Sequence, residues 1–257
     1  MQYPANPFTH AIRSGTRQIG LWVTLANNFA AEVVASAGFD WVVLDMEHSP
    51  NDMQNVLGQM QAFEASGTTA LVRPMWNDPV VIKRLLDTGA HGLVVPMVQS
   101  VAEAEAAVAA MRYPPRGIRG YSGSTRANKF GRAEGYLDRV EDETTMIVQI
   151  ETREALAVAS EIGAVDGVDG VFFGPADLAA DIGLLGQPTA DAVWDLIRPV
   201  ADRLIEQGTP VGTLVSDVEM ASSLLDTGFT FVACGTDTGL LARSADTLVA
   251  TMRNHLT

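Results

Sequence analysis

Apolar and polar positions along the chain follow a repeating two-part rhythm. Short runs rich in Val, Ile, Phe and Thr recur at "QIGLWVTL", "WVVLDM", "TALVRP", "GLVVPM", "TMIVQIE", "GVFFG", "PVGTLV" and "FTFVACG". Six of the eight are preceded by Gly, Asp or Thr, which fits a short buried strand. Between them lie helix-length stretches such as "SVAEAEAAVAAM" and "TREALAVASEI". Strands alternating with helices predict parallel pairing through crossovers, and runs apolar on both faces predict a sheet covered on both sides. Eight such units in 257 residues match a closed (β/α)8 (TIM) barrel, typically about 250 residues long. An open doubly wound sheet is the competing arrangement, but no G-x-G-x-x-G follows the first strand. No linker or low-complexity tract divides the chain, so residues 1–257 are expected to form one domain.

The rhythm breaks once. "YPPRGIRGYSGSTRANKFGRAEGYLDRV", Tyr113 to Val140, is rich in Gly and Arg and separates strand four from strand five. A long irregular connection in a compact domain is usually functional or mobile. It is expected to leave strand four at its C-terminal end after one short helix and to return over the site.

Charge narrows the partners. There are 17 basic residues against 31 acidic ones, a net charge of −14. This balance argues against nucleic acid, which wants a basic stripe, and against an anionic membrane surface. No apolar run reaches transmembrane length, and "MQYPANPFTHAIRSG" has no apolar signal core, so a cytoplasmic protein is expected. The single cysteine, Cys234, excludes an intrachain disulfide and a cysteine-based zinc site, and within "FVACG" it reads as a small buried residue.

In a barrel of this kind the active site lies at the C-terminal ends of the strands. Strand one places Trp22 there, strand two Asp45, Glu47 and His48, and strand three Arg73. Strand five adds Gln149 and Glu151, and strand six leads into "FFGPADLA" with Gly174, Ala176 and Asp177. Leu214 on strand seven borders the same space. Some of these residues have ordinary roles available. Asp177 suits a helix N-cap, Arg73 a neutraliser of the acidic ring, and His48 a loop histidine. Capping explains Glu151 poorly, because Thr152 beside it is the better cap. Asp45 and Glu47 are two apart and share a strand face, so two inward anions would need a cation. All-oxygen coordination with retained waters suits Mg2+, Mn2+ or a similar ion, and no HExxH helix supports a zinc hydrolase.

The lysines and histidines restrict the chemistry. The only lysines, Lys83 and Lys129, lie in a helix and in the irregular segment, so neither is placed to form an imine inside a barrel. A metal Lewis acid is the alternative way to stabilise an enolate, with His48 as general base and Arg73 beside the developing oxyanion. His10, His91 and His255 lie away from the strand ends. The helix start at "GPAD" offers backbone N–H groups to an anion, which suits the carboxylate of a 2-oxo acid.

Taken together, "GLWVTL", "AGFDWVVLDMEHSPND", "LVRP", "LLDTGAHGLVVPMVQS", "RGYSGSTRANKFG", "VQIET", "DGVFFGPADLAADIG" and "FVACGTDTGLLARSA" resemble the HpcH/HpaI aldolase family. The resemblance runs from about Arg17 to Ala245; only Met46 departs from it, standing where related sequences often carry a small residue. It implies a metal-dependent class II pyruvate aldolase on a (β/α)8 barrel, needing no organic cofactor. Its substrates would be a 2-oxo acid and an aldehyde. The last helix would pack on a neighbouring subunit, commonly in a hexamer built from trimers. The resemblance further implies Glu151 and Asp177 as ligands of a divalent ion (Mg2+, Mn2+ or Co2+), with Asp45 and Glu47 reaching metal-bound waters. His48 would be the base and Arg73 the enolate stabiliser. Gln149, Ala176 and Asp177 would contact pyruvate, and a neighbour's Asp87 would hydrogen-bond His48. Asp87 is otherwise puzzling, because it ends the helix "DPVVIKRLLDTG" at the negative pole of the dipole. The competing functions are a citramalyl- or malyl-CoA-type lyase, with arginines of Tyr113–Val140 gripping the CoA phosphates, and a non-catalytic binding barrel.

Overall fold

The computed structural model describes residues 1–256. Eight strands, β1 (Gln18–Val23), β2 (Trp41–Asp45), β3 (Thr69–Arg73), β4 (Gly92–Val95), β5 (Thr145–Ile150), β6 (Gly170–Phe173), β7 (Val211–Leu214) and β8 (Phe231–Thr236), pair in sequence order and close into a parallel barrel. Helix α1 (Pro7–Arg13) precedes β1. Helices α2 (Asn28–Ala35), α3 (Met53–Phe63), α4 (Pro79–Asp87) and α5 (Val101–Met111) follow the first four strands. Then come α6 (Tyr136–Arg139), α7 (Arg153–Ala157), α8 (Ala159–Gly163), α9 (Pro175–Asp181), α10 (Asp191–Glu206), α11 (Val218–Asp226) and α12 (Asp237–Leu256).

Local sequence fixes where many helices start. Asn27, Asp52, Asp78, Ser100, Thr152 and Asp217 each accept a backbone N–H from the first turn that follows. Such a cap is typically worth about 1 kcal/mol, and these six sit where a strand has just ended and the chain must turn down the outside.

Strand alternation sorts side chains into two cores. Trp41, Val43, Leu71, Val94, Ile147, Phe172 and Phe231 fill the barrel. Val42, Leu44, Ala70, Val72, Met146 and Val148 face the helices, and Met46 joins this outer layer. Helix α1 plugs the N-terminal end with Phe8 and Ile12, both buried. A Cβ at Gly20 would overlap the Trp41 ring, and one at Gly212 the Phe231 ring. These two glycines make the room that lets large aromatics close the barrel floor. Removing such a ring to alanine typically costs about 3–5 kcal/mol.

The irregular segment lies at the opposite end from that expected. It does not return over the C-terminal mouth of its own barrel. Arg119 reaches Asp87, Arg126 and Lys129 reach Glu64, and the backbone N–H of Ala127 meets the carbonyl of Asp87, all at the N-terminal rim. The eleven residues of α5 run about 16 Å at 1.5 Å per residue, so the chain is already back at that rim when the segment begins. No described helix is long and apolar enough to cross a membrane.

Candidate active site

Inward positions at the C-terminal strand ends build the site. On β2 the parity that points Trp41 and Val43 inward also points Asp45 inward, and on β3 Leu71 sets the direction of Arg73. The two are register partners on adjacent strands. Arg73 donates through Nε and Nη2 to the two carboxylate oxygens of Asp45, each at 2.8 Å. Its remaining nitrogen, Nη1, lies 2.9 Å from Glu47 Oε2. The guanidinium carbon stands 5.1 Å from the Trp22 ring centroid, and Trp22 leans on Phe172 at 5.2 Å.

Each carboxylate feels this arrangement differently. Burial alone would raise Asp45, but its hydrogen bonds and charge pairing with Arg73 hold it below the ordinary carboxylate value. Both its oxygens are engaged, and they fix the orientation of Arg73. Glu47 goes the other way. Burial raises it, Arg73 and His48 oppose that, and Asp45 and Asp177 add to it. Glu151 is pushed up to about 7, first by burial and then by the nearby charges of Asp177 and Glu47, against the hydrogen bonds from Met97 and Gln149. Its Oε1 accepts the Met97 N–H at 2.7 Å and its Oε2 the Gln149 Nε2 at 2.6 Å.

His48 stands at the mouth on the loop after β2, its side chain 64% exposed and its Nε2 3.8 Å from Glu47 Oε2. The corner that carries it is tied down from beneath. Asn51 Nδ2 donates to the Asp45 carbonyl at 2.7 Å, and buried Gln59 on α3 holds Asn51 Oδ1 at 2.6 Å. Asp177 is exposed in the first turn of α9, whose N-cap is Gly174. The capping role available to Asp177 therefore falls away. Thr152 does cap α7, as expected. Gly174 is required by contact, since a Cβ there would come within 2.7 Å of Glu151 Oε2. Leu214 packs on the inner cluster beside Phe172.

The rim thus gathers Trp22, Asp45, Glu47, Arg73, Gln149, Glu151, Gly174 and Leu214, with His48 and Asp177 at its edge. Asp87 is not among them. It lies at the far end of the same barrel, where Arg119 pairs with it at 2.8 Å and answers the unfavourable dipole. Both lysines are also outside the interior. Lys83 rides on α4, and Lys129 bonds Glu64 at 2.7 Å. Sequence reasoning missed the Met97 N–H, Phe172 and the Asn51–Gln59 support. Met97 holds a positive φ of 52°, a strained backbone no motif announces, whereas adjacent Phe172 and Phe173 left the inward one undecided.

The residues fit a hard divalent cation. Carboxylates and an amide oxygen are its preferred donors. Glu151 is crowded by two other anions, and Gln149 Oε1 is buried without a hydrogen-bond partner. Among the described residues no three His, Cys, Asp or Glu side chains are grouped to hold a metal. A cation on Glu151 and Asp177 would therefore keep most of its coordination for other oxygens.

An eight-stranded barrel whose rim sets an excess of carboxylates around one clamped arginine, with no lysine inside, is an enzyme scaffold for a small anionic substrate. Residues 18–244 match the HpcH/HpaI aldolase/citrate lyase family, and the chain belongs to it. It is 50% identical to a pyruvate aldolase of Rhizobium etli, over 97% of this chain and 98% of that one. It is also 50% identical to a 4-hydroxy-2-oxo-heptane-1,7-dioate aldolase of Salmonella arizonae, over 95% and 94%. A solved HpcH/HpaI aldolase/citrate lyase family protein from Burkholderia cenocepacia superposes with a TM-score of 0.93 at 33% identity, over 97% of this chain and 100% of that one. The chain is an aldolase-type carbon–carbon lyase. The CoA-lyase alternative is not favoured: four of the five arginines in Tyr113–Val140, Arg116, Arg119, Arg126 and Arg139, are in ion pairs away from the mouth.

Proposed function

We propose that the enzyme reversibly cleaves a 4-hydroxy-2-oxo acid to pyruvate, or a close analogue such as hydroxypyruvate, and an aldehyde. The observation that carries this reading is the clamped Arg73 near Glu151, which Asp177 also crowds, in a barrel with no interior lysine. An imine route has no amine, so charge developing on a keto oxygen must be met by cations. Mg2+, Mn2+ or Co2+ held by Glu151 and Asp177 would supply Lewis acidity there.

This chain's own residues do the rest. Arg73, fixed by Asp45 and Glu47, points its guanidinium at the oxyanion of the enolate. His48 removes a proton from pyruvate C3 in the condensation direction. Gln149 and the first-turn N–H groups of Ala176 and Asp177 receive the substrate carboxylate. Trp22, Phe172 and Leu214 wall the aldehyde side. Helix α12 exposes Leu240, Leu241, Leu248, Val249 and Met252, an apolar stripe that supports packing against another copy in a hexamer built from trimers. In such an assembly Asp87 of a neighbouring subunit would hydrogen-bond His48 and stabilise its protonated form.

The test is proton exchange at pyruvate C3 in D2O, followed by NMR, with and without EDTA. Exchange that stops with EDTA and returns with Mg2+, Mn2+ or Co2+ supports the reading. Full exchange in the stripped enzyme defeats it. Mixing Asp87→Ala chains with His48→Ala chains should restore part of the activity, and no recovery in verified mixed oligomers would remove Asp87 from the site.

A further inference from the structure

Asp237 opens α12, directly after β8, and its carboxylate is buried. An acid in a first helical turn ordinarily serves its own helix. Here Thr236 already does so, its Oγ1 accepting the Gly239 N–H at 2.8 Å. Asp237 turns mainly to β1 instead. Its Oδ1 accepts the N–H and hydroxyl of Thr24 at 2.8 and 2.9 Å, and the Thr238 N–H at 2.7 Å. Its Oδ2 accepts the Leu25 N–H at 3.0 Å.

The sheet geometry explains why this carboxylate is there. Gly20 of β1 is opposite Ala233 of β8, but Trp22 is opposite Thr236, so β8 spends an extra residue between the two pairs. That bulge contains Gly235 at φ 148°, a backbone few other residues adopt. Bulges beside active sites re-aim the chain. This one brings Asp237 alongside β1 just past the last ladder pair, where its side chain replaces the missing carbonyls. Beyond Leu25 comes Ala26 at φ 52°, and then Asn27, which caps α2 by accepting the N–H groups of Phe29 and Ala30. A strained non-glycine residue persists only where its surroundings hold it. Asp237 on one side and Asn27 on the other provide that hold.

We propose that Asp237 is a positioning residue for the aldehyde side of the site. Its carboxylate extends the β1–β8 pairing beyond Trp22 and fixes the loop 24–27 at the mouth, so it governs how well longer aldehydes fit. This rests on the aldolase reading, and it assigns Asp237 no contact with pyruvate.

Asp237→Ala and Asp237→Asn in the full-length, metal-loaded enzyme separate the two ideas. Wild-type C3 exchange with pyruvate alone tests the aldolase reading, and its absence would remove the footing of both. Given that exchange, both variants should keep it near the wild-type rate. The KM for pentanal should rise on the order of 10–100-fold in Asp237→Ala, the scale of a misplaced substrate wall, while the KM for acetaldehyde changes much less. Asp237→Asn keeps one acceptor oxygen but turns an N–H group on Leu25, so it should fall between. Equal loss of exchange and of both aldehyde reactions would overturn the proposal, as would an unchanged pentanal KM. Should Asp237→Ala not fold, Thr24→Val removes a single donor from the same carboxylate. It must raise the pentanal KM in the same direction, and no rise defeats the proposal.

Discussion

The two ends of the barrel both collect charge, and they do so by opposite rules. At the N-terminal rim anions meet cations: Arg13 with Asp169, Arg119 with Asp87, Arg126 and Lys129 with Glu64, and Arg139 with Glu143. At the C-terminal rim Arg73 stands among Asp45, Glu47, Glu151 and Asp177. A balanced rim is finished by folding. An unbalanced one still asks for a cation, because Glu151 is buried near Asp177 and Glu47 without an ion pair of its own.

Removing the clamped cation should break this contrast most severely. Arg73→Ala should lower kcat about 100- to 1000-fold, the usual worth of an oxyanion stabiliser. It should also destabilise the fold by about 3–5 kcal/mol, because Asp45 is left buried and unpaired. Arg73→Lys should recover only part of either, since one ammonium cannot bond both Asp45 oxygens and still face Glu47. Steady-state kinetics and denaturant unfolding measure the two losses separately. Activity near wild type in Arg73→Ala would deny the rim its catalytic meaning.

One glutamate from each rim should titrate in opposite senses. The folded value of Glu151, about 7, lies above its ordinary 4.5. The folded state therefore binds the extra proton between these values, and stability falls as pH rises through that window. Glu143 at the other rim is held low: burial opposes this, but the Asn6 N–H, Arg139 and His10 outweigh it. Its contribution is present above the ordinary value and lost as pH falls through the folded one. Thermal melts of metal-free protein should show both trends. Adding Mg2+ or Mn2+ should raise the melting temperature more at about pH 7.5 than at about pH 5.5, because the deprotonated Glu151 is the form that binds. Glu151→Gln should flatten the neutral-pH slope and weaken the metal effect. An equal metal effect at both pH values would place the cation elsewhere.

A smaller effect belongs to the balanced rim. Arg119 is almost wholly buried against Tyr113, and Asp87 is its anionic partner. Asp87→Ala should cost about 1–3 kcal/mol through the unpaired donor left behind. Denaturant unfolding would measure it. A loss near zero would mean that solvent replaces Asp87 at that pair.

The unbalanced half of this contrast was legible in the sequence, for a definite reason. Polar residues that end apolar strands stand out, so Asp45, Arg73, Gln149 and Glu151 could be placed at the C-terminal rim, and alternation put Asp45 and Glu47 on one face. The barrel followed from the number of strand–helix units and the length of the chain. The segment Tyr113–Val140 was misplaced because its own pattern carries no direction, and only the length of α5 says at which rim it emerges. Asp237 was invisible for another reason. Its partners Thr24 and Leu25 are more than 200 positions away, and the β8 bulge that aims it at them leaves no periodic trace. The Met97 N–H shares that fate, being a backbone group set by a local strain.

The smallest expected effect is none at all, and it tests the site's logic hardest. A barrel that activates a ketone through an amine must place a lysine among its inward side chains. Here Lys83 rides on α4 and Lys129 bonds Glu64 at the balanced rim. The double variant Lys83→Arg, Lys129→Arg removes every side-chain amine in the chain while preserving both charges, and arginine can still reach Glu64. It should retain wild-type kcat and KM. Borohydride added with pyruvate should attach nothing to the wild-type protein, as read by intact-mass spectrometry. A trapped adduct on either lysine would move the chemistry out of the unbalanced rim. It would leave those carboxylates without a function, and the contrast between the two ends would no longer separate a finished rim from a working one.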